Sequence, residues 1–119
     1  MLTQKQAKAI GHAWIDKWND SALSDYGLLY ADNAVEVSTI ANKLIHISHG
    51  QVKGKKTLMH YWEALRLRLP DYHYTLESIN LYKGYVIVHF SIPALNAKAI
   101  AKIELNKHQK IERIQISHV

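Results

Sequence analysis

Hydrophobic positions follow a helical repeat in the first part of the 119-residue chain and an alternating repeat in the last part. After a potential cap at Thr3, apolar residues recur every three or four positions, which predicts a helix ending near Asn19. Trp14 and Trp18 lie on its apolar stripe. A second, short helix is predicted after residues 20–21; its apolar face carries Tyr26, Leu29 and Tyr30, and it ends at residues 32–33.

Apolar and polar residues alternate along 34–52, which predicts a hairpin of two strands. Gly54 then opens a third helix, with Leu58, Trp62 and Leu65 on one face, and Pro70 stops it. Four further strands are predicted at 72–82, 85–92, 98–105 and 111–119. Helices followed by strands indicate an α+β fold with helices on one face of a largely antiparallel sheet. We expect one domain over residues 1–119, which suits the length of the chain.

Strand pairing predicts which side chains face inward, because opposed residues share a face and alternate residues do not. A turn at residues 95–96 pairs Phe90 with Ala101 and gives an aliphatic inner surface. Continuing to the last strand places Ile114 and Ile116 on that surface. Glu112 and His118 are then its polar ends.

The first hairpin carries the polar residues of greatest interest. A two-residue turn at 42–43 places Glu36 opposite His49, and Ser38 opposite Ile47, on a face that also carries Ile40 and Ile45. We expect this apolar face to be the inner one, so that Glu36, Ser38 and His49 line the interior. A slip of one residue would exchange the faces, so this register depends on the turn length.

Three short landmarks link the chain to known proteins: Tyr30-Ala31-Asp32-Asn33-Ala34, Gly54 before the third helix, and Leu69-Pro70-Asp71 after it. With the order of elements, they resemble the SnoaL-like and ketosteroid isomerase-like branch of the nuclear transport factor 2 superfamily. The resemblance covers nearly the whole chain. It implies an α+β roll in which a strongly curved sheet wraps round three helices, forming a cone with an internal cavity.

The same resemblance implies that the usual isomerase residues are absent. The family's oxyanion tyrosine falls on Trp14, its base aspartate on Ser38 and its protonated acid on Ala101. That chemistry needs a carboxylate to move the proton and protonated donors to hold the oxyanion. We therefore expect no ketosteroid isomerisation by that route.

Two interpretations of the remaining polar residues stay open. Glu36 and His49 would form a cross-strand acid–base pair, with His118 as a second titratable group near the cavity. Alternatively, Glu36 and His49 lie in water at the hairpin rim and His118 lies at a frayed end of the chain. The ambiguous register favours the second interpretation.

The leading functional hypothesis is an internal pocket for a small, mostly apolar ligand. The predicted polar contacts are Ser38, Tyr61 and His118; the predicted wall residues are Trp14, Phe90, Ala101, Ile114 and Ile116. The alternatives are an isomerase, lyase or cyclase that uses Glu36 and His49, and a noncatalytic domain for dimerisation or partner docking.

The composition of the chain limits the classes of partner and cofactor that we expect. The net charge of +5 is scattered without a basic face of stacking aromatics, so we expect no nucleic acid. The eight histidines show no metal-ligand spacing, and we expect neither a metal nor a cofactor. No apolar run spans a bilayer, no signal peptide is visible and there are no cysteines, which favours a cytoplasmic protein without membrane contact.

An outward patch of Tyr85, Ile87 and Ile100 predicts a homodimer through the convex sheet face.

Overall fold

A computed structural model describes residues 2–39 and 50–119 of the chain. Three α-helices lie in these ranges: α1 (Gln4–Asp20), α2 (Leu23–Gly27) and α3 (Lys55–Arg68). The strands are β1 (Tyr30–Ser38), β2 (Gln51–Lys53), β3 (Thr75–Tyr82), β4 (Tyr85–Ile92), β5 (Ala97–Leu105) and β6 (Ile111–His118). Within the described ranges, no helix is long and apolar enough to cross a membrane.

The six strands form one mixed sheet in the order β2-β1-β6-β5-β4-β3. The β1–β6 pair is parallel and the other pairs are antiparallel. The predicted α+β class is confirmed, and so is the order of helices, short hairpin, helix and meander.

Helix α1 begins where its local chemistry predicts. The Thr3 hydroxyl accepts a hydrogen bond from the Gln6 backbone N–H, and the Gln6 side chain accepts one from the Thr3 N–H, which completes a capping box. The predicted stripe is buried and includes Trp14 and Trp18. Gly11 lies in the same stripe, and a Cβ there would lie 2.7 Å from Ile79 Cδ1, so α1 packs directly on β3.

Helix α2 is shorter than predicted, since Tyr30 opens β1 instead of closing the helix. Tyr30 pairs with Ile111 on β6, which lies far away in the sequence. A long-range strand contact therefore outweighs the local helical spacing, as tertiary context commonly does.

The β4–β5 register differs by two residues from the prediction. Phe90 pairs with Ala99, and Ala101 pairs with Val88, because a 3₁₀ turn at Pro93–Leu95 centres the connection one residue earlier. An even shift leaves every side chain on its predicted face, and both Phe90 and Ala101 are buried.

Glu112 was predicted to face inward, and a bulge between β5 and β6 shows that this prediction was wrong. Glu104 pairs with Arg113 and Leu105 pairs with Ile111, so β6 carries one extra residue at this point. Ile111 takes the inner position and Glu112 is exposed. Ile114 and Ile116 are buried as expected.

The predicted register of the first hairpin was wrong. Glu36 pairs with Val52, three residues beyond the predicted partner, because β1 ends at Ser38 and β2 begins only at Gln51. His49 and Ile47, the predicted partners, lie outside the described residues.

Candidate functional site

The site is built around Glu36, a carboxyl on β1, the second strand from one edge of the sheet. Glu36 is flanked by Val52 on β2 and Ile114 on β6, which point to the same side of the sheet and are buried. The side chain of Glu36 is 3% exposed. The inward facing predicted for Glu36 and Ser38 is confirmed, and the alternative that Glu36 lies in water at a hairpin rim was wrong.

Helix α3 supplies a hydrogen-bond donor to this carboxyl. The indole N–H of Trp62 donates to Oε1 of Glu36 across 3.3 Å. Burial raises the pKa of Glu36 to about 7, and the hydrogen bond from Trp62 opposes that rise. Within the described part of the chain, no ion pair compensates Glu36, since the two ion pairs present join Lys55 to Asp32 and Lys98 to Glu77.

Five buried tyrosines surround the carboxyl closely enough to experience its charge. Burial is the main cause that raises the pKa of each phenol, and the negative charge of Glu36 raises it further. These phenols therefore stay protonated at physiological pH and can serve as hydrogen-bond donors. They are Tyr26, Tyr30, Tyr61, Tyr72 and Tyr74.

A buried chain of polar groups runs beside Glu36. The Trp14 indole N–H donates to the Tyr30 hydroxyl at 3.0 Å, and the Tyr30 and Tyr26 hydroxyls are 2.7 Å apart. Each group in this chain has a partner, so burial of these polar atoms does not leave them unsatisfied.

Aromatic rings enclose these polar groups. The ring of Trp62 lies 4.7 Å from the rings of both Tyr26 and Tyr30, and Trp14 stacks on Tyr74 at 5.2 Å. We call this set the aromatic cluster; it comprises Trp14, Trp18, Tyr26, Tyr30, Trp62, Tyr72, Tyr74 and Phe90.

The end of α1 holds the two tyrosines that precede β3. The Asn19 side chain makes paired hydrogen bonds with the Tyr74 backbone at 2.7 and 2.8 Å, and the Trp18 N–H donates to the Tyr72 carbonyl at 3.0 Å. These contacts fix Tyr72 and Tyr74 against the rest of the aromatic cluster.

One end of the interior retains a little accessible surface. Ser38 lies beside Ile116 in the β1–β6 register, and a side-chain hydrogen bond links Ser38 to Tyr61. Ser38, Tyr61 and Ile116 are 3%, 6% and 5% exposed. We call these three residues, together with Glu36, the Glu36 end.

The rest of the predicted wall is closely packed. Trp14, Phe90, Ala101 and Ile114 have no accessible surface, so no space for a water molecule adjoins them. Their predicted contact with a ligand stays a prediction and requires neighbouring groups to move. The structure thus separates the predicted wall into a packed core and the Glu36 end.

His118 lies at the end of β6, paired with Ala99 and half-buried. Its Nδ1 lies 2.5 Å from the Thr39 hydroxyl. His49, the other predicted histidine, lies outside the described residues. The predicted Glu36–His49 pair was based on a strand register that differs from the register of the structure.

Sequence reasoning missed the role of Trp62 and Tyr30 in the site. Spacing assigned Trp62 to the core and Tyr30 to a helix, and neither pattern indicates which polar atom meets Glu36. The alternation of Tyr72 and Tyr74 just before a strand was a usable signal, since alternate residues share a face.

Comparison with solved structures shows which class of protein has this architecture. The chain is similar to a SnoaL-like protein of unknown function from Burkholderia thailandensis, with a TM-score of 0.90 and 21% identity over 98% of this chain and 97% of the other. It is also similar to a nuclear transport factor 2-like protein of unknown function from Cytophaga hutchinsonii, with a TM-score of 0.72 and 13% identity over 100% and 95% of the two chains.

A third similar structure contains a small molecule. It is a protein with a ketosteroid isomerase-like fold from Catenulispora acidiphila in complex with trimethylamine, with a TM-score of 0.68 and 14% identity over 91% of this chain and 83% of that one. No protein-family profile and no curated protein sequence matches this chain. The resemblance predicted from the sequence is confirmed: the chain has the SnoaL-like, nuclear transport factor 2-like fold.

Proposed function

We propose that this protein binds a small, mostly apolar molecule at the Glu36 end of its interior. The observation that carries the proposal is a carboxyl held inside an aromatic interior, next to residues that keep a small accessible surface. Ligand sites are commonly apolar with a few convergent polar groups, and a strongly perturbed buried acid is a recognised marker of such sites. The neighbour that holds trimethylamine supports the idea that this fold admits a small molecule.

A screen by native mass spectrometry and ligand-observed NMR tests binding directly. We expect small apolar compounds to bind the wild-type protein, and Ile116→Trp to weaken that binding by filling the Glu36 end. Leu67→Trp is the matched control, because Leu67 is exposed on α3. Equal binding by both variants would place the ligand elsewhere.

A second candidate function is proton transfer at carbon by Glu36. The observation that favours it is the pKa of Glu36, which burial raises to about 7, so that both protonation states are populated near neutral pH. The tyrosine hydroxyls of the aromatic cluster supply protonated donors for an enolate oxygen. No partner histidine is needed, because one carboxyl can remove and return the same proton.

Exchange of the α-hydrogens of a small cyclic ketone in heavy water measures that chemistry. We expect Glu36→Gln to lower the exchange rate by about 10²-fold or more, the usual contribution of a positioned acid–base group. Glu63→Gln, on the exposed face of α3, leaves the rate unchanged. If the exchange rate is the same in buffer, in the wild-type protein and in the Glu36→Gln and Glu63→Gln variants, proton transfer by Glu36 is excluded.

We also propose that the chain forms a homodimer through the outer sheet face. Ile87 and Ile100 are half-exposed there, and Ile100 pairs with His89 in the register. Apolar side chains on an outward sheet face favour association between copies.

A further inference from the structure

The charge balance around Glu36 defines the class of molecule that would suit the Glu36 end. A buried carboxylate is costly unless a cation or several donors compensate it. Among residues 2–39 and 50–119, the hydrogen bond to Glu36 comes from Trp62 and no lysine, arginine or histidine forms an ion pair with it. Within these ranges the carboxyl of Glu36 therefore has one neutral hydrogen-bond donor and no cationic partner.

The surroundings of Glu36 favour a cation over any other compensating group. Trp62, which donates to Glu36, packs against the rings of Tyr26 and Tyr30, and the faces of such rings carry partial negative charge that attracts organic cations. Two buried aliphatic side chains, Val52 and Ile114, flank Glu36 in the sheet, so an alkyl group that enters beside Glu36 displaces neighbouring side chains and meets an apolar wall. An anion would meet both the carboxylate and the ring faces, and would be repelled.

We infer that the ligand of this site is a small alkylamine, bound as an ammonium ion beside Glu36 with its alkyl groups against aliphatic and aromatic side chains. This inference rests on the proposed binding function and names its ligand class. The ammonium N–H donates to a carboxylate oxygen of Glu36, and the ring faces complete its surroundings.

The inference includes a defined proton balance. When Glu36 is protonated, binding of the ammonium form breaks the O–H bond of the carboxyl and releases that proton to solvent. When Glu36 is already ionised, the ammonium binds without proton release. The other titratable groups that face Glu36 are the phenols of Tyr26, Tyr30, Tyr61, Tyr72 and Tyr74, which stay neutral throughout.

Three probes of nearly equal shape test the inference: tert-butylamine, tert-butanol and pivalate, which are cationic, neutral and anionic near neutral pH. Binding is followed by the indole N–H resonance of Trp62 and by calorimetry. We expect tert-butylamine to bind at least about tenfold more tightly than tert-butanol, and pivalate not to bind. Glu36→Gln should abolish the preference for the amine, and Glu63→Gln should retain it.

Proton linkage gives a measurement on the unaltered protein. We expect the amine to release about one proton per molecule bound near pH 6 and almost none near pH 8, with about tenfold weaker binding at the lower pH. Calorimetry in two buffers of different ionisation enthalpy measures this release. Because this measurement uses the wild-type protein, it tests the inference even if Glu36→Gln fails to fold.

The outcomes separate the two proposals. Equal or tighter binding of tert-butanol would overturn the amine inference and leave the apolar pocket standing. Binding of the amine with no proton release near pH 6 would also overturn it. If none of the three probes binds, the amine inference is overturned, and the screen of apolar compounds with Ile116→Trp decides the proposed pocket separately.

Discussion

The Trp62 indole nitrogen lies 3.3 Å from the Glu36 carboxylate oxygen Oε1, joining helix α3 to the C-terminal part of strand β1 inside the protein. This contact brings together residues that are 26 positions apart. This donor opposes the cost that burial imposes on the charged form of Glu36, and it links the stability of the fold to the ionisation of the site.

Removing this donor tests the relationship. We expect Trp62→Phe to raise the pKa of Glu36 above its value of about 7, because the hydrogen bond from Trp62 favours the ionised form. NMR titration of the carboxyl carbon of Glu36 measures the change, with Glu36→Gln used to assign the resonance. An unchanged or lower pKa in Trp62→Phe would contradict the hydrogen bond.

The ionisation of Glu36 should make stability depend on pH. Its pKa is raised from 4.5 to about 7 in the folded protein, so the folded state binds the proton more tightly than the unfolded state. The free energy of unfolding should therefore fall as the pH rises from about 4.5 to about 7 and then level off. The loss is on the order of 3 kcal/mol, since one pKa unit is worth about 1.4 kcal/mol.

Urea denaturation at several pH values measures this effect. Glu36→Gln should resemble the wild-type protein at the acidic end and be the more stable of the two near pH 8, because glutamine stays neutral. Glu63→Gln is exposed and should follow the wild-type curve. A constant difference between Glu36→Gln and the wild-type protein at every pH would refute the raised pKa.

The hydroxyl chain predicts an order among tyrosine variants. Tyr30→Phe deprives both the Trp14 N–H and the Tyr26 hydroxyl of a partner, whereas Tyr26→Phe leaves the Trp14–Tyr30 bond intact. We expect Tyr30→Phe to lower the free energy of unfolding by about 2–3 kcal/mol and Tyr26→Phe by about 1 kcal/mol.

Equilibrium unfolding compares the two variants. Tyr82→Phe serves as the control, because Tyr82 is 60% exposed and should change stability by less than about 0.5 kcal/mol. A larger loss in Tyr26→Phe than in Tyr30→Phe would show that the chain is not connected as described.

The proposed homodimer gives a further prediction. Ile100→Lys places a charge on the outer sheet face and should convert a dimer into a 13.7 kDa monomer, as measured by light scattering after size exclusion. Leu67→Lys changes an equally apolar, exposed residue on α3 and should stay dimeric. A wild-type protein that is already monomeric at all concentrations would rule out the proposal.

The local patterns of the sequence determined most of the fold. Thr3 and Gln6 cap α1, Gly54 opens α3, and period-two alternation marks the strands of the meander, because each signal acts between residues close in the chain. Alternation also predicted the inner face of β4 and β5, and of Ile114 and Ile116 on β6, even though the β4–β5 register was off by two, since an even shift does not exchange faces.

Tertiary structure alone decided the register at the first hairpin and at the β6 bulge, and with them the polar contacts of the site. Glu36 pairs with Val52 and not with His49 because the connection after β1 is longer than a tight turn. Its contact with Trp62 depends on how α3 crosses the sheet, which no spacing within either segment specifies. The sequence determined that Glu36 faces inward; only packing between distant elements determined which groups it meets there, because such contacts depend on long-range geometry and not on local periodicity.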